Sequence, residues 1–143
     1  MSKKLNVKYF ICALGEINLA IPAEQTERII PVARVQTSVM ESETQEVFIS
    51  LPVLFRQKDA AAPHGLVLKT EVKFSAAGFP GKTILLTPRI DIELEIPEEN
   101  IHRLPEAFSG LFSCFKGACF AGNSQNMTLI LDPEKLINME DLK

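Results

Sequence analysis

The residues in this sequence best spaced for chemistry are Ala76-Ala77-Gly78-Phe79-Pro80-Gly81-Lys82-Thr83, a relaxed phosphate-loop pattern with Ala in place of the first Gly. Such a loop presents backbone N–H groups at the start of a helix, with Lys reaching the phosphates and Thr the magnesium. Pro80 deletes one of those donors, and the stretch after Thr83 favours a strand and is then broken by Pro88. The segment reads as a turn that ends in Gly-Lys-Thr. Asp91, Glu93 and Glu95 put three carboxylates at alternating positions, which on a strand recur every ~6.6 Å on one face. A general acid–base pair needs carboxylates in unlike environments across a cleft, and a calcium cage needs ligands converging from a tight loop. The three therefore form a solvated acidic face, able to complement a basic partner.

His64 and His102 lack the i, i+4 partner or the cysteine spacing of a zinc site, and Cys114 and Cys119 do not converge along one strand. Apolar surroundings disfavour a thiolate at either cysteine, and no Gly-x-Ser-x-Gly elbow is present. The sequence predicts no catalytic residue, no metal ligand and no cofactor.

The elements that must position any site begin with a hairpin. In Tyr9 to Ile30, Gly15-Glu16 suits a two-residue turn with Gly in the first central position. That turn pairs Leu14 with Ile17, Cys12 with Leu19 and Phe10 with Ile21, three apolar pairs on one face. The other face, with Tyr9, Ile11, Ala13, Asn18 and Ala20, is too apolar for open water and predicts a cover. Pro22 ends the second strand, Ala23 to Thr26 make one short turn, and Arg28 to Ile30 resume an extended run.

Beyond Pro31, the acidic stretch Glu41 to Glu46 reads as a solvated loop and Val47 to Leu51 as a strand. Pro52 can open a short helix through about Gln57. Leu66 to Leu68 and Val72 to Phe74 read as a strand or a hairpin, and Ile84 to Leu86 starts another strand that Pro88 interrupts. In Ile90 to Ile96 the strict alternation places Ile90, Ile92, Leu94 and Ile96 on a core face. Ile101 to Leu104 is a short extended piece. Phe112 to Phe120 and Met127 to Leu131 form a second hairpin, and Asp132-Pro133 starts a terminal helix. Nine or ten short strands at this spacing specify an all-β sandwich or barrel.

The chain has 143 residues, 46% of them hydrophobic and 23% charged, in the range of a single globular domain. A net charge of −3 without an aromatic-interleaved basic patch argues against nucleic acid as a partner. Lys8 interrupts the N-terminal apolar run and Glu16 closes it, which excludes a signal-peptide reading, and no stretch approaches the ~20 apolar residues of a membrane helix. No direct membrane insertion is expected. Three cysteines in apolar segments suit reduced thiols in a cytoplasmic protein.

Several segments resemble the CheW-like family in order along the chain. Tyr9 to Ile30 is similar to its first hairpin, with Ala20-Ile21-Pro22 and Glu27-Arg28-Ile29-Ile30; Phe48 to Phe55 resembles its later strand and short helix. Ile101 to Pro105 looks like its I-x-x-L-P segment, Phe115 to Ala118 its strand around I-x-G, and Leu129 to Leu136 its closing strand and helix. The resemblance implies two small, intertwined SH3-like five-stranded β-barrels with a few short helices. It implies a single module over residues 6–138 whose sub-barrels are not contiguous in sequence, with 1–5 and 139–143 as flexible tails. It also implies a non-enzymatic adaptor between the regulatory domain of a CheA-type histidine kinase and the cytoplasmic tip of a methyl-accepting chemoreceptor. The family's Arg-Gly dipeptide has no counterpart near Thr44-Gln45-Glu46, and the Asp after its central strand is replaced around Pro88. A CheW-like protein redirected to another partner, or a small β-barrel binding a small molecule or nucleotide, are the alternatives. Exposed apolar strand surface rimmed by charge would carry binding, and the run after the first hairpin offers Glu27, Ile29, Ile30, Val32 and Arg34 as a partner interface.

Overall fold

The computed structural model describes residues 6–14, 17–32, 36–43, 46–56, 62–69, 82–103, 114–119 and 127–137. Strand β1 (Asn6–Leu14) pairs antiparallel with β2 (Ile17–Pro22) in the expected register, Phe10 opposite Ile21, Cys12 opposite Leu19 and Leu14 opposite Ile17. A single 3₁₀ turn, Ala23–Gln25, follows, and the Thr26 hydroxyl donates to the Pro22 carbonyl at 3.1 Å. The chain then runs through β3 (Thr26–Pro31), β4 (Met40–Glu43), β5 (Glu46–Ser50), α1 (Leu51–Leu54), β6 (His64–Leu68), β7 (Lys82–Thr87) and β8 (Ile90–Pro97). After a second 3₁₀ turn, Glu98–Asn100, come β9 (Phe115–Cys119), β10 (Thr128–Leu131) and α2 (Pro133–Ile137).

The architecture is all-β, as expected: two five-stranded sheets and a few short helices. Sheet 1 has the order β8-β1-β2-β10-β9 and sheet 2 the order β3-β6-β7-β5-β4. Sheet 2 uses consecutive strands, whereas sheet 1 joins strands from before and after them. Both contain one parallel pair, β2 with β10 and β5 with β7.

Apolar side chains form three layers. The middle one lies between the sheets and joins Cys12, Leu19 and Ile21 to Ile49, Leu66 and Leu85, with Leu51 and Leu54 of α1 and Leu136 of α2 packed in. On the other face of sheet 1, Tyr9, Ile11 and Ala20 meet Ile96, Cys119 and Ile130, and Ile101 packs against them, so the second face of the first hairpin is covered. Outside sheet 2, Phe48, Val67, Ile84 and Leu86 are joined by Ala62, Ile30 and Val32. Strands with apolar layers on both faces read as continuous hydrophobic runs, which is why Ile84-Leu85-Leu86 and Leu129-Ile130-Leu131 show no alternation.

Sheet 1 is closed on itself by a short return of the chain. The His102 N–H donates to the Ala118 carbonyl and the Ala118 N–H to the His102 carbonyl, both at 2.8 Å, so the segment leaving β8 pairs with β9 at the opposite edge. A Cβ on Gly117 would stand 2.6 Å from both the His102 carbonyl oxygen and Ile101 Cγ2. Only glycine allows that approach.

Three local readings are corrected. Ile90 does not share a face with Leu94 and Ile96: the β1–β8 register shifts between Ile11 and Cys12, and the extra residue turns Ile90 toward the middle layer. Within the acidic stretch read as a loop, Met40–Glu43 is a strand, because pairing with β5 satisfies its backbone despite poor strand formers. The helix opened by Pro52, capped by the Ser50 hydroxyl accepting from the Val53 N–H at 3.3 Å, stops at Leu54 instead of near Gln57. Arg56 takes a left-handed φ of 54° there, and its N–H donates to the Val53 carbonyl at 3.1 Å. At α2 the expected Asp cap is present, Asp132 Oδ1 accepting from the Lys135 N–H at 3.4 Å. The tails 1–5 and 139–143 and the strand expected at Val72 to Phe74 lie outside the described residues.

Candidate interaction surface

Strand β3 is an edge of sheet 2, paired among the described residues with β6 alone. The Val32 N–H donates to the Pro63 carbonyl at 2.9 Å, which sets the alternation of the ladder. Bonded and non-bonded pairs alternate in an antiparallel ladder, so Ile30, opposite Gly65, bonds toward β6, while Ile29, opposite Leu66, turns its N–H and C=O away from it. Pro31 has no N–H to leave unmatched at that outer edge.

The five residues expected at an interface divide accordingly. Glu27 and Ile29 are exposed, Ile29 at 42%, a large value for an isoleucine on a regular strand. Ile30 and Val32 are half-buried over Gly65, where an added Cβ would fall 2.9 Å from Val32 Cγ2 and 3.3 Å from Ile30 Cγ1. They belong to the outer apolar layer of sheet 2 and hold β3 in place. Arg34 lies outside the described residues.

Glu27 pairs with Lys82 at the start of β7, reaching past the intervening β6. This hydrogen bond, reinforced by the charges of Lys82, Arg28 and Lys69, holds the Glu27 carboxyl below the usual glutamate range. Its folded-state pKa is depressed, so the pair's contribution is present above the ordinary glutamate value and is lost as pH falls through the folded value. In an NMR titration the Glu27 carboxyl should show a midpoint below that of a free glutamate, moving upward in Lys82→Ala; an unchanged midpoint would disprove the pairing. Lys69 and Lys82 were not legible as neighbours of Glu27 in the sequence, because only the β3-β6-β7 order brings them together.

The residues considered for catalysis are scattered. Lys82 and Thr83 open a strand, not a helix, and Thr83 is buried, so no phosphate cradle forms on them; residues 76–81 lie outside the described set. Glu93 and Glu95 are exposed on β8, as expected of a solvated acidic face, and His64 and His102 are exposed on different sheets. Among the described residues no three His, Cys, Asp or Glu side chains gather as a metal site. Cys12, Cys114 and Cys119 are buried and free of disulfides. Burial pushes the Cys114 thiol up to about 12 and raises Cys119 as well. All three should resist iodoacetamide in the native protein at pH 8 and react fully once denatured; rapid native labelling would contradict this packing.

A groove of about 780 Å³ opens at one end of sheet 1, between the start of β1, both 3₁₀ turns, β9 and the start of α2. Tyr9, 1% exposed, and Leu131 line it, and Lys8, Glu24, Glu98, Lys116 and Asp132 supply charge. Lys116 pairs with Glu98 at 3.3 Å. Gln25 also lines it, with its Oε1 buried away from solvent. Burial raises the Tyr9 pKa, opposed by Lys116 and assisted by Glu98 and Glu24. No sequence motif marks this groove.

No family profile matches the sequence, and no curated protein sequence does. Among solved structures the chain is similar to the scaffolding protein TtCheW from Thermoanaerobacter tengcongensis, with a TM-score of 0.67 over 90% of this chain and 86% of that one, at 11% sequence identity. Among the described residues no helix is long and apolar enough to cross a membrane. At that identity the likeness speaks to architecture alone, and the architecture it establishes is a CheW-like all-β fold.

Proposed function

We propose that this protein is a non-enzymatic, cytoplasmic signalling adaptor of the CheW-like kind, joining a CheA-type histidine kinase to methyl-accepting chemoreceptors through protein–protein contacts. The observation that carries the reading is the two-sheet fold shared with a scaffolding protein. The edge of β3, unpaired on its outer side among the described residues and with Ile29 exposed, would offer a surface for such contacts. Glu27, Ile29 and Arg34 would meet the partner, with Ile30 and Val32 shaping the strand from beneath. A pull-down with the regulatory domain of a CheA-type kinase and with a chemoreceptor cytoplasmic tip, both from the same cell, tests it. Binding to at least one is expected, and binding to neither overturns the reading.

The groove beside Tyr9 favours a second reading, a module that binds a small molecule or nucleotide. Its volume falls in the ~300–1,000 Å³ range of ligand pockets, and Tyr9, Lys116 and Glu98 line it with apolar and charged groups. A thermal-shift screen with nucleotides and metal ions discriminates, because a ligand at 100 times its Kd adds ~2.7 kcal/mol of stability.

A further inference from the structure

We infer that the edge of β3 that is unpaired among the described residues is completed by an extended, acidic segment of the partner, which adds to sheet 2 as a further strand. The inference rests on the protein–protein reading above and specifies the chemistry of what docks. An edge that turns the N–H and C=O of Ile29 outward is matched by another strand, whose main chain supplies the acceptor and donor at the right spacing. The Ile29 side chain, 42% exposed beside those groups, gives the added strand an apolar anchor.

Charge selects the kind of strand. The chain carries a net −3, yet around Glu27 lie the cations Arg28, Lys69 and Lys82, with Glu46 opposite Lys82 on the next strand as the other carboxylate placed there among the described residues. Arg28 and Lys69 are exposed, and Lys82 is already committed to Glu27. An acidic strand gains attraction from Arg28 on β3 and from Lys69 just behind it at the end of β6, whereas a basic one meets like charge, so the corner favours an acidic partner. Among the described residues the outer edge of β8 repels such a strand, because it shows Glu93 and Glu95.

The test uses full-length protein and whichever partner binds in the pull-down. Two variants probe different parts of the edge. Arg28→Glu with Lys69→Glu reverses the charge. Ile29→Pro removes both the N–H that points away from β6 and the exposed apolar side chain, while the hydrogen bonds of the β3–β6 ladder stay in place. Each should fold, as judged by an unchanged far-UV spectrum and melting curve, and each should weaken partner binding by roughly an order of magnitude or more. The Ile29 amide of the unaltered protein should gain hydrogen-exchange protection in the complex. If Ile29→Pro fails to fold, the charge-reversal variant and the exchange measurement decide the matter. Undiminished binding by the charge-reversal variant with no added protection at Ile29 overturns the inference and leaves the adaptor reading standing. Self-association of the protein alone through this edge, abolished by the same variants, overturns it by making a second copy the occupant. Binding to neither partner overturns both.

Discussion

Leu19→Ala should lower the free energy of unfolding by about 3–4 kcal/mol, the usual loss when a fully buried leucine is truncated in a core that cannot collapse around the gap. Leu19 is wholly inaccessible, at the centre of sheet 1 between Cys12 on β1 and Leu129 on β10. Its side chain points into the layer shared with sheet 2, so relaxation there is resisted from both sides. Against a total of ~5–15 kcal/mol this is a large fraction, equivalent to a fall of roughly 10 °C in Tm. Chemical denaturation of the variant and of Met127→Ala provides the comparison. Met127 is 41% exposed, and its truncation should change stability by no more than ~0.5 kcal/mol. A loss below ~1 kcal/mol for Leu19→Ala would mean that the two sheets do not share a packed layer.

Gly117→Ala should cost roughly 2–3 kcal/mol by a different route. The added methyl collides with the backbone of His102, and a backbone atom already fixed in a pair of hydrogen bonds has little room to yield. At Gly65 the atoms in the way belong to the side chains of Ile84 and Val32, so Gly65→Ala should be the milder change. Hydrogen exchange separates closure from general destabilisation. In Gly117→Ala the amides of His102 and Ala118 should lose protection first, while those inside the β1–β2 pair keep theirs. Uniform loss across sheet 1 would show that the His102 bridge is not a local clasp.

How much of this could be read beforehand depended on the distance over which each feature is determined. The register of β1 with β2 was legible because two turn residues and six apolar side chains settle it within a dozen positions. The Asp132 cap and the β9–β10 hairpin were legible for the same reason. The face presented by Ile90 was not, because the bulge arises from how β8 meets β1, far away in sequence. Nor was β4, whose residues favour solvent and become a strand only beside β5. At the interaction surface, Ile29 and Glu27 could be named from an exposed-looking apolar run, but the direction of the Ile29 backbone groups follows from the Val32–Pro63 bond. The cations around Glu27 are set by strand order, since Lys82 lies 55 positions from it.

The consecutive strands of sheet 2 imply an order of events as the chain is made. Strands β3 to β7 can find one another before β8 emerges from the ribosome, whereas the first hairpin must wait for β8, β9 and β10. Bringing β8 back to β1 closes a long loop, at an entropic cost of about 4 kcal/mol for a flexible connection of that length. A preformed sheet 2 shortens the effective loop and presents Leu66 and Leu85 as a ready apolar surface for the waiting hairpin. The middle layer is thus also a template, and a nascent chain halted before β8 would leave Cys12, Leu19 and Ile21 resting on it with one edge of β1 still unpaired.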